Sequence, residues 1–315
     1  KTLKLRDTPP ANELYPTREQ ARAADKFPLE VVMCSDCKHV QLKHIVSPKR
    51  LFDDYIYKSG TSSFFKQHFD KLAEQIVSKF PITTYVLEIG SNDGILLRSL
   101  ENREVKSIGV EPSIFLAKEC ISNNQIVYNS YFNQQVVDEI LKTHGTASIV
   151  VGNNVFAHIE DLNEAFKNVA AVLNPSGMFI FEVAHFKYIY TIGIFDTIYH
   201  EHFSYLSFGT VINIFAKNGL NVFDVEEIGT HGGSLRVYAQ PSDTGSHLVS
   251  SRVDDLLSRE TSAGMSSIAF YQGFQEHAEK VKNEFLSFLI EQKKLGKVVV
   301  SYGAAAKGNT LLNFA

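Results

Sequence analysis

The sequence predicts an α/β protein built on a doubly wound, Rossmann-like sheet, with a small zinc-ribbon-type module before it. Three observations carry this. Strand-length apolar runs alternate with helical periodicity from TYVLEIG to PSGMFIFEVAHF. The first run ends in a glycine-bearing loop, SNDG. The first 50 residues are polar and proline-punctuated, and they hold Cys34 and Cys37 as a C-x-x-C.

A chain of 315 residues, 44% hydrophobic, suffices for about two domains with sizeable cores. The net charge is −4, with lysines and arginines spread evenly, so no basic stripe points to nucleic acid. No apolar run approaches the roughly 18 residues of a membrane span. The N-terminus, KTLKLRDTPPANELYP, lacks the apolar core of a secretory signal. A cytoplasmic enzyme, monomeric or a small homo-oligomer, is the expectation.

Residues 1–60 form the N-terminal module in this reading, with strand-like runs LEVVMC and HVQLKHI around the C-x-x-C. Cys34 and Cys37 have the spacing of half a tetrahedral zinc site. No second C-x-x-C follows, and His39 and His44 are irregularly spaced, so the partner cysteines are expected upstream of Lys1. A redox dithiol is disfavoured, because no thioredoxin-like βαβ pattern surrounds the pair. Cys120, alone in a helical segment, reads as a buried, inert thiol.

Residues 61–240 form the central domain. Phe65, Phe69, Leu72, Ile76 and Phe80 recur at helical spacing. Then TYVLEIG, VKSIGVEPS, ASIVVGNN and PSGMFIFEVAHF read as strands, separated by the helices ILLRSLEN, IFLAKECISN and EDLNEAFKNVAAVLN. Parallel βαβ units follow. Residues 204–219 suggest another helix, and NVFDVEEI with GSLRVYAQ a late antiparallel pair. Residues 241–315 open with a largely helical stretch, 252–293. They end in GKVVVSYGAAAKGNTLLNFA, read as a buried strand, a glycine loop and the start of a helix. One strand and half a helix make no sheet alone, so a C-terminal domain cut short is expected.

The loop after the first strand is where an adenosine cofactor docks. A dinucleotide site needs G-x-G-x-x-G; here Gly90 and Gly94 flank Asn92, and Asp93 puts an anion where a phosphate would sit. S-adenosylmethionine (SAM), with its sulfonium and ammonium charges and no phosphate, fits better. Glu88 precedes the loop, and Glu111, ending the second strand, is placed to accept from both ribose hydroxyls. Asn153 and Asn154, after the third strand, face the methionine part. A plain βα turn is the competing reading.

The stretch FDTIYHEHFSY packs Tyr199, His200, Glu201 and His202 side by side. The metalloprotease pattern H-E-x-x-H is absent. A metal role, a structural role and acid/base chemistry all remain open from the residues themselves.

The motifs LEIGSNDG, GVEPS, NNVFAHI, YHEHFSY, HGGSLRVY and AAKGNTLLN, in this order, resemble those of the sugar C-methyltransferases, over nearly the whole chain. That family acts on nucleotide-linked 4-keto deoxysugars. The resemblance implies a four-cysteine structural zinc, a SAM-dependent methyltransferase domain and a C-terminal Rossmann-like domain. Two of the four cysteines are present here, and that last domain reaches only its first βα unit.

The resemblance makes His202 the base that removes a proton beside the ketone. Glu201 would contact the sugar or orient a partner, Tyr199 would donate a hydrogen bond, and His158 would polarise the ketone. Tyr57 resembles the N-terminal active-site tyrosine, with Tyr55 an alternative. His200 is left as surface or structural. His231, Ser234 and Arg236 in HGGSLRVY are candidates for the sugar nucleotide, with a hairpin turn as the competing reading. Lys307 suits a diphosphate at a helix N-terminus.

The rival functions are an O- or N-methyltransferase on the same donor domain, an NAD-dependent sugar oxidoreductase, and a non-catalytic nucleotide-sugar-binding module.

Overall fold

Strands covered on both faces must be apolar throughout, and VLEI and SIGV are buried at every position. The computed structural model describes residues 2–55, 57–303 and 305–315. Its strands in chain order are β1 (Leu3–Lys4), β2 (Glu30–Met33), β3 (Val40–Leu42), β4 (Val86–Ile89), β5 (Ser107–Val110), β6 (Val127–Tyr128), β7 (Ala147–Asn153), β8 (Leu173–Ala184), β9 (Ser204–Tyr205), β10 (Leu220–Ile228) and β11 (Ser234–Pro241).

The large sheet runs β10-β11-β8-β7-β4-β5-β6. Strands β4 to β8 pair in parallel, while β11 joins β8 and β10 joins β11 antiparallel. Chain direction across the sheet reverses between β4 and β7. That switch point opens a crevice at the carboxyl ends of the strands. The α/β class, the parallel units and the late antiparallel pair are as the sequence predicts.

Three elements were not legible. β6 is two half-buried residues, too short to show alternation. The helix Gln134–His144 buries only Val136, Val137 and Ile140 and is capped by Asn133. Phe186–Ile192 forms a short helix inside an aromatic-rich run that has no polar face to mark it.

A second sheet runs β1-β2-β3-β9. Its first three strands are the expected module. The fourth, β9, comes from the far side of the sequence: Val40 faces Tyr205 and Gln41 faces Ser204. The same apolar core unites Leu3, Val31 and Val40 with Phe186, Tyr205, Phe274 and Phe314. The module is thereby welded to the FDTIYHEHFSY segment and to the helix Phe274–Lys294.

The expected strand in GKVVV does not form. Val298 and Val300 are 88% and 85% exposed, and no described strand lies beside the segment. β-branched residues favour a strand only where a partner covers them. The expected helix after it is present, as Ala306–Phe314. Among the described residues, no helix is long and apolar enough to cross a membrane.

Under the carboxyl end of β8 lies a buried ionic cluster. Arg236 donates Nε–H to Glu182 Oε1 (2.6 Å) and an NH1 hydrogen to Gln75 Oε1 (2.7 Å), and His68 Nε2 lies 3.0 Å from Glu182 Oε2. Burial raises the Glu182 carboxyl, but His68 and Arg236 win and hold it below its ordinary value. Arg236→Ala leaves that carboxylate buried and unpaired, so it should cost about 3–5 kcal/mol of stability, read by urea unfolding.

Candidate active site

The crevice is a cavity of about 1040 Å³, large enough for two substrates. Its first half is built from strand ends. Gly90 (φ +67°) and Asn92 (φ +51°) turn the chain sharply after β4; a Cβ on Gly90 would come within 2.7 Å of Val155 Cγ2. Glu111, at the end of β5, accepts from the Asn92 N–H (2.8 Å) and the Ser113 N–H (2.9 Å), which fixes its carboxylate against the cavity. Asn153 and Asn154 end β7 on the wall. Both polar atoms of the Asn153 side chain are buried without a partner. Burial raises the Glu111 carboxyl. Burial, then Asp93 and Glu111, raises Glu88 well above its ordinary value. A cation reverses that cost. Free amide atoms and crowded carboxylates fit the positive end of SAM, so Gly90, Asn92, Glu111, Asn153 and Asn154 would hold it.

Two of the donor-site residues do not reach the wall. Glu88 is buried beside Asp93 and Glu111, with Oε2 unpartnered. Gly94 (φ +69°) opens the helix Ile95–Glu101, where a Cβ would lie 2.2 Å from Gln125 Oε1; close packing, not ligand contact, needs this glycine. The module clasps the same loop. The Ser59 N–H bonds Asn92 Oδ1 (2.9 Å), the Gly60 N–H bonds Asp93 Oδ2 (3.0 Å), and Asn92 Nδ2 donates to the Tyr57 carbonyl (2.9 Å). Cys120 is buried, and burial pushes its thiol up to about 12, the inert state expected of it.

The other half of the cavity carries the imidazoles. His202 Nδ1 is 2.8 Å from the Thr197 carbonyl, and His158 Nδ1 is 2.6 Å from the Glu201 carbonyl. A carbonyl only accepts, so both rings carry their proton on Nδ1 and present a bare Nε2. The ring centres are 4.9 Å apart. Tyr199 O–H donates to His202 Nε2 (3.0 Å). Burial holds His158 down to about 4, and burial with His158 nearby holds His202 well below its ordinary value. Both are therefore neutral at pH 7.

This corrects two expectations. Neutral His158 has no proton to give a ketone; it is an acceptor at the cavity. Glu201 is not on the cavity wall, where contact with the sugar was one role expected of it: it is buried, and its Oε1 accepts from the backbone and side-chain N–H groups of Asn12, both 3.1 Å. It fills the other expected role and orients a partner, the cavity-lining Asn12. His200 is structural and fully buried, with Nε2 3.2 Å from the Phe27 carbonyl. Asn12, His39, Gln41 and Tyr205 also line the cavity. Asn12 and Gln41 lie in no motif, His39 is weighed in the sequence only as a zinc ligand, and Tyr205, the last residue of FDTIYHEHFSY, is given no role there; Gln41 and Tyr205 reach the wall through the β3–β9 pairing and Asn12 through Glu201.

At the mouth, His231 (φ +53°) and Lys307 lie on the wall, as do Tyr55 and Tyr57. Tyr55 is partly buried and Tyr57 is 47% exposed. Ala305 and Ala306 place the N-terminus of the last helix there beside Lys307. Ser234 and Arg236 are corrected: Ser234 is fully buried and donates to the Thr230 carbonyl (2.9 Å), and Arg236 is held by Glu182 and Gln75.

Cys34 and Cys37 sit in the turn between β2 and β3. The Cys34 N–H donates to the His39 carbonyl (2.8 Å), and Lys38 adopts φ +63°. Backbone N–H groups of Cys37 and Asp36 lower the Cys34 thiol. Yet among the described residues no three histidine, cysteine or carboxylate groups converge. Cys34 and Cys37 would supply two of the four ligands of a structural zinc, the half-site the sequence predicts.

Two measurements follow. Glu111→Ala should weaken SAM binding at least tenfold by calorimetry; unchanged affinity would reject it as a cofactor ligand. Acid should also destabilise the protein before its carboxylates titrate. His158, His200, His202 and His231 are all shifted down by burial, while their unfolded forms take protons below about pH 6.5. Stability is full above that pH and falls towards pH 4. Unfolding curves flat between pH 7 and 5 would contradict this.

Comparison with known proteins agrees with the geometry. Residues 63–225 match the family model "Methyltransferase domain", residues 229–315 match "C-methyltransferase C-terminal domain", and residues 1–52 match "Putative zinc binding domain". The chain is 34% identical over 307 residues to the C-methyltransferase NovU of Streptomyces niveus, covering 97% of this chain and 73% of NovU. Among solved structures, it is similar to magnesium protoporphyrin IX methyltransferase from Synechocystis PCC 6803 with bound SAM. That match has 15% identity and a TM-score of 0.43, over 56% of this chain and 79% of that one. A SAM-dependent methyltransferase from Clostridium acetobutylicum gives 10% identity and a TM-score of 0.44, over 58% and 93%. The chain belongs to the SAM-dependent C-methyltransferases.

Proposed function

We propose that the acceptor is a nucleotide-linked 4-keto deoxysugar, methylated at a carbon beside the ketone through an enolate. The supporting observation is the pair of neutral imidazoles, each pinned through Nδ1–H to a backbone carbonyl, with Nε2 turned to the cavity. A carbon acid of this kind needs a base that is unprotonated at pH 7 and already oriented. An O- or N-methyltransferase can use such a base too; what sets the carbon acid apart is its need for a donor at the enolate oxygen.

SAM, when bound, supplies an electrophilic methyl group. The protein's part is to make the carbon nucleophilic. Tyr199 O–H lies on His202 Nε2, so the two act as one unit: the hydroxyl passes its proton to Nε2 as it takes up the proton from the carbon. Burial keeps the Tyr199 hydroxyl well above its ordinary value, so it relays the proton without resting as a phenolate. His158 Nε2 accepts from a sugar hydroxyl. Lys307, with the helix N-terminus behind it, meets the diphosphate, and His231 contacts the sugar nucleotide at the same mouth. Tyr57, or the more buried Tyr55, closes the donor side. A cytoplasmic setting, where SAM and nucleotide sugars are both available, accords with this reading.

The test uses deuterated water, SAM and a thymidine diphosphate 4-keto-6-deoxyhexose, read by mass spectrometry and NMR. A new carbon-bound methyl group with loss of the proton at that carbon is expected. SAM binding without exchange or methylation rejects the reading. His202→Ala should abolish turnover and leave SAM affinity within about twofold. Because His202 is held below its ordinary value, kcat/KM should be flat from about pH 6.5 upward and fall only in more acidic solution. A profile that keeps rising through pH 8 would assign the base elsewhere.

A further inference from the structure

An enolate forms readily only if its oxygen is met by a hydrogen-bond donor fixed in advance. The imidazoles cannot supply one: each gives its proton to a carbonyl, Glu201 for His158 and Thr197 for His202. Tyr199 gives its own to His202 Nε2. Tyr131 O–H is spent on Asp53 Oδ1 at 2.7 Å. Lys307 stands at the mouth with the helix N-terminus, and Asn153 ends β7 in the cofactor half.

Three further residues on the wall carry a buried polar atom with no hydrogen-bond partner among the described residues: His39 at Nε2, Thr197 at Oγ1 and Tyr205 at its hydroxyl. Of these Tyr205 offers the most acidic hydroxyl, a phenol, and so the strongest donor to an enolate oxygen; it is 2% exposed. Two groups lie near its oxygen: the Glu201 carboxylate, which is not within hydrogen-bonding distance, and the Tyr199 backbone N–H, itself a donor, so the hydroxyl proton is unspent. The ring is immobilised in the core: β9 pairs it opposite Val40, and Phe186 lies 5.6 Å away, centre to centre. Tyr205 also follows His202 by three residues, so hydroxyl and base ride on one rigid segment. A buried hydroxyl is costly when unpaired, and a ligand oxygen relieves that cost.

We infer that Tyr205 is a catalytic residue of this site, whose hydroxyl donates a hydrogen bond to the acceptor's ketone oxygen and holds the enolate that forms there. This rests on the enolate reading above. The balance is simple. The bond from carbon to hydrogen breaks and its proton goes to the Tyr199–His202 pair. The electron pair becomes the carbon–carbon double bond, and the carbonyl π pair moves to oxygen. Tyr205 keeps its proton and shares it. When the carbon takes up the methyl group the carbonyl re-forms, and the hydrogen bond returns to its weaker ground-state form.

The decisive variant is Tyr205→Phe, which keeps the packed ring. Methylation and deuterium exchange at the acceptor carbon are measured on the thymidine diphosphate 4-keto-6-deoxyhexose, beside SAM affinity and Tm. Loss of one such donor typically costs about 10²–10³ in kcat. The expected result is a loss of that size in both exchange and methylation, with SAM affinity unchanged. Rates within threefold of the parent overturn the assignment, as does a loss of methylation with normal exchange, since the oxygen would then be held by another group. Tyr55→Phe, run in parallel, identifies that group if it alone loses exchange. If the phenylalanine variant does not fold, 3-fluorotyrosine at position 205 replaces it: a stronger donor of the same shape should alter the exchange rate, and an unaltered rate overturns the assignment. Failure of the parent protein to exchange or methylate, with SAM bound, removes the enolate reading and Tyr205's role together; an active parent with an unaffected variant removes Tyr205 alone.

Discussion

The backbone of residues 197–205 is the constraint on which the site depends. Its carbonyls at Thr197 and Glu201 receive the Nδ1 protons of His202 and His158. Its end becomes β9 and completes the module's sheet. The Phe203 N–H bonds the Ala157 carbonyl (2.7 Å), next to His158, and the Phe203 carbonyl accepts from the Leu42 N–H (2.8 Å). One short strap therefore sets two tautomers and ties the module to the central domain. Neither imidazole could hold its orientation in the buried cavity without these acceptors, because a polar group taken out of water needs its partner built in.

That dependence explains what the sequence could and could not reveal. The large sheet was legible because periodicity is a local property: VLEIG, SIGV and SIVVGN are written as buried strands, and the loops after them carry Gly90, Glu111 and Asn153 to one edge. The joining of the two sheets was not. A two-residue strand such as Ser204–Tyr205 has no period to detect, and its partner lies more than 160 residues earlier in the chain. GKVVV failed for the opposite reason: its composition favours a strand, but composition supplies no neighbour.

The catalytic half shows the same division. Crowding of Tyr199, Glu201 and His202 marked a segment that reaches the cavity through Tyr199 and His202. Adjacency in sequence says nothing about facing, however. In a turn, neighbours point apart, so Glu201 left the cavity for Asn12 while His202 and Tyr199 entered it. Arg236 was drawn away by a stronger claim, since a buried carboxylate at Glu182 demands a partner before any ligand does. The tautomers of the histidines lie beyond sequence altogether: they are fixed by which carbonyl each ring meets.

The consequence for the module is physical as well as topological. Burying the unpartnered Tyr205 hydroxyl and the free Asn153 amide opposes folding, and the apolar contacts of β1, β2 and β3 against Phe186, Phe274 and Phe314 offset that cost. Catalytic sites commonly hold polar groups ready at the expense of stability. Here the expense is carried by a small sheet that contributes no strand to the large one. The module's place in the enzyme is then the same on both counts: it closes the cavity wall through Asn12, His39 and Gln41, and its core steadies the strap that holds the neutral His202 imidazole and the Tyr205 hydroxyl in fixed relation.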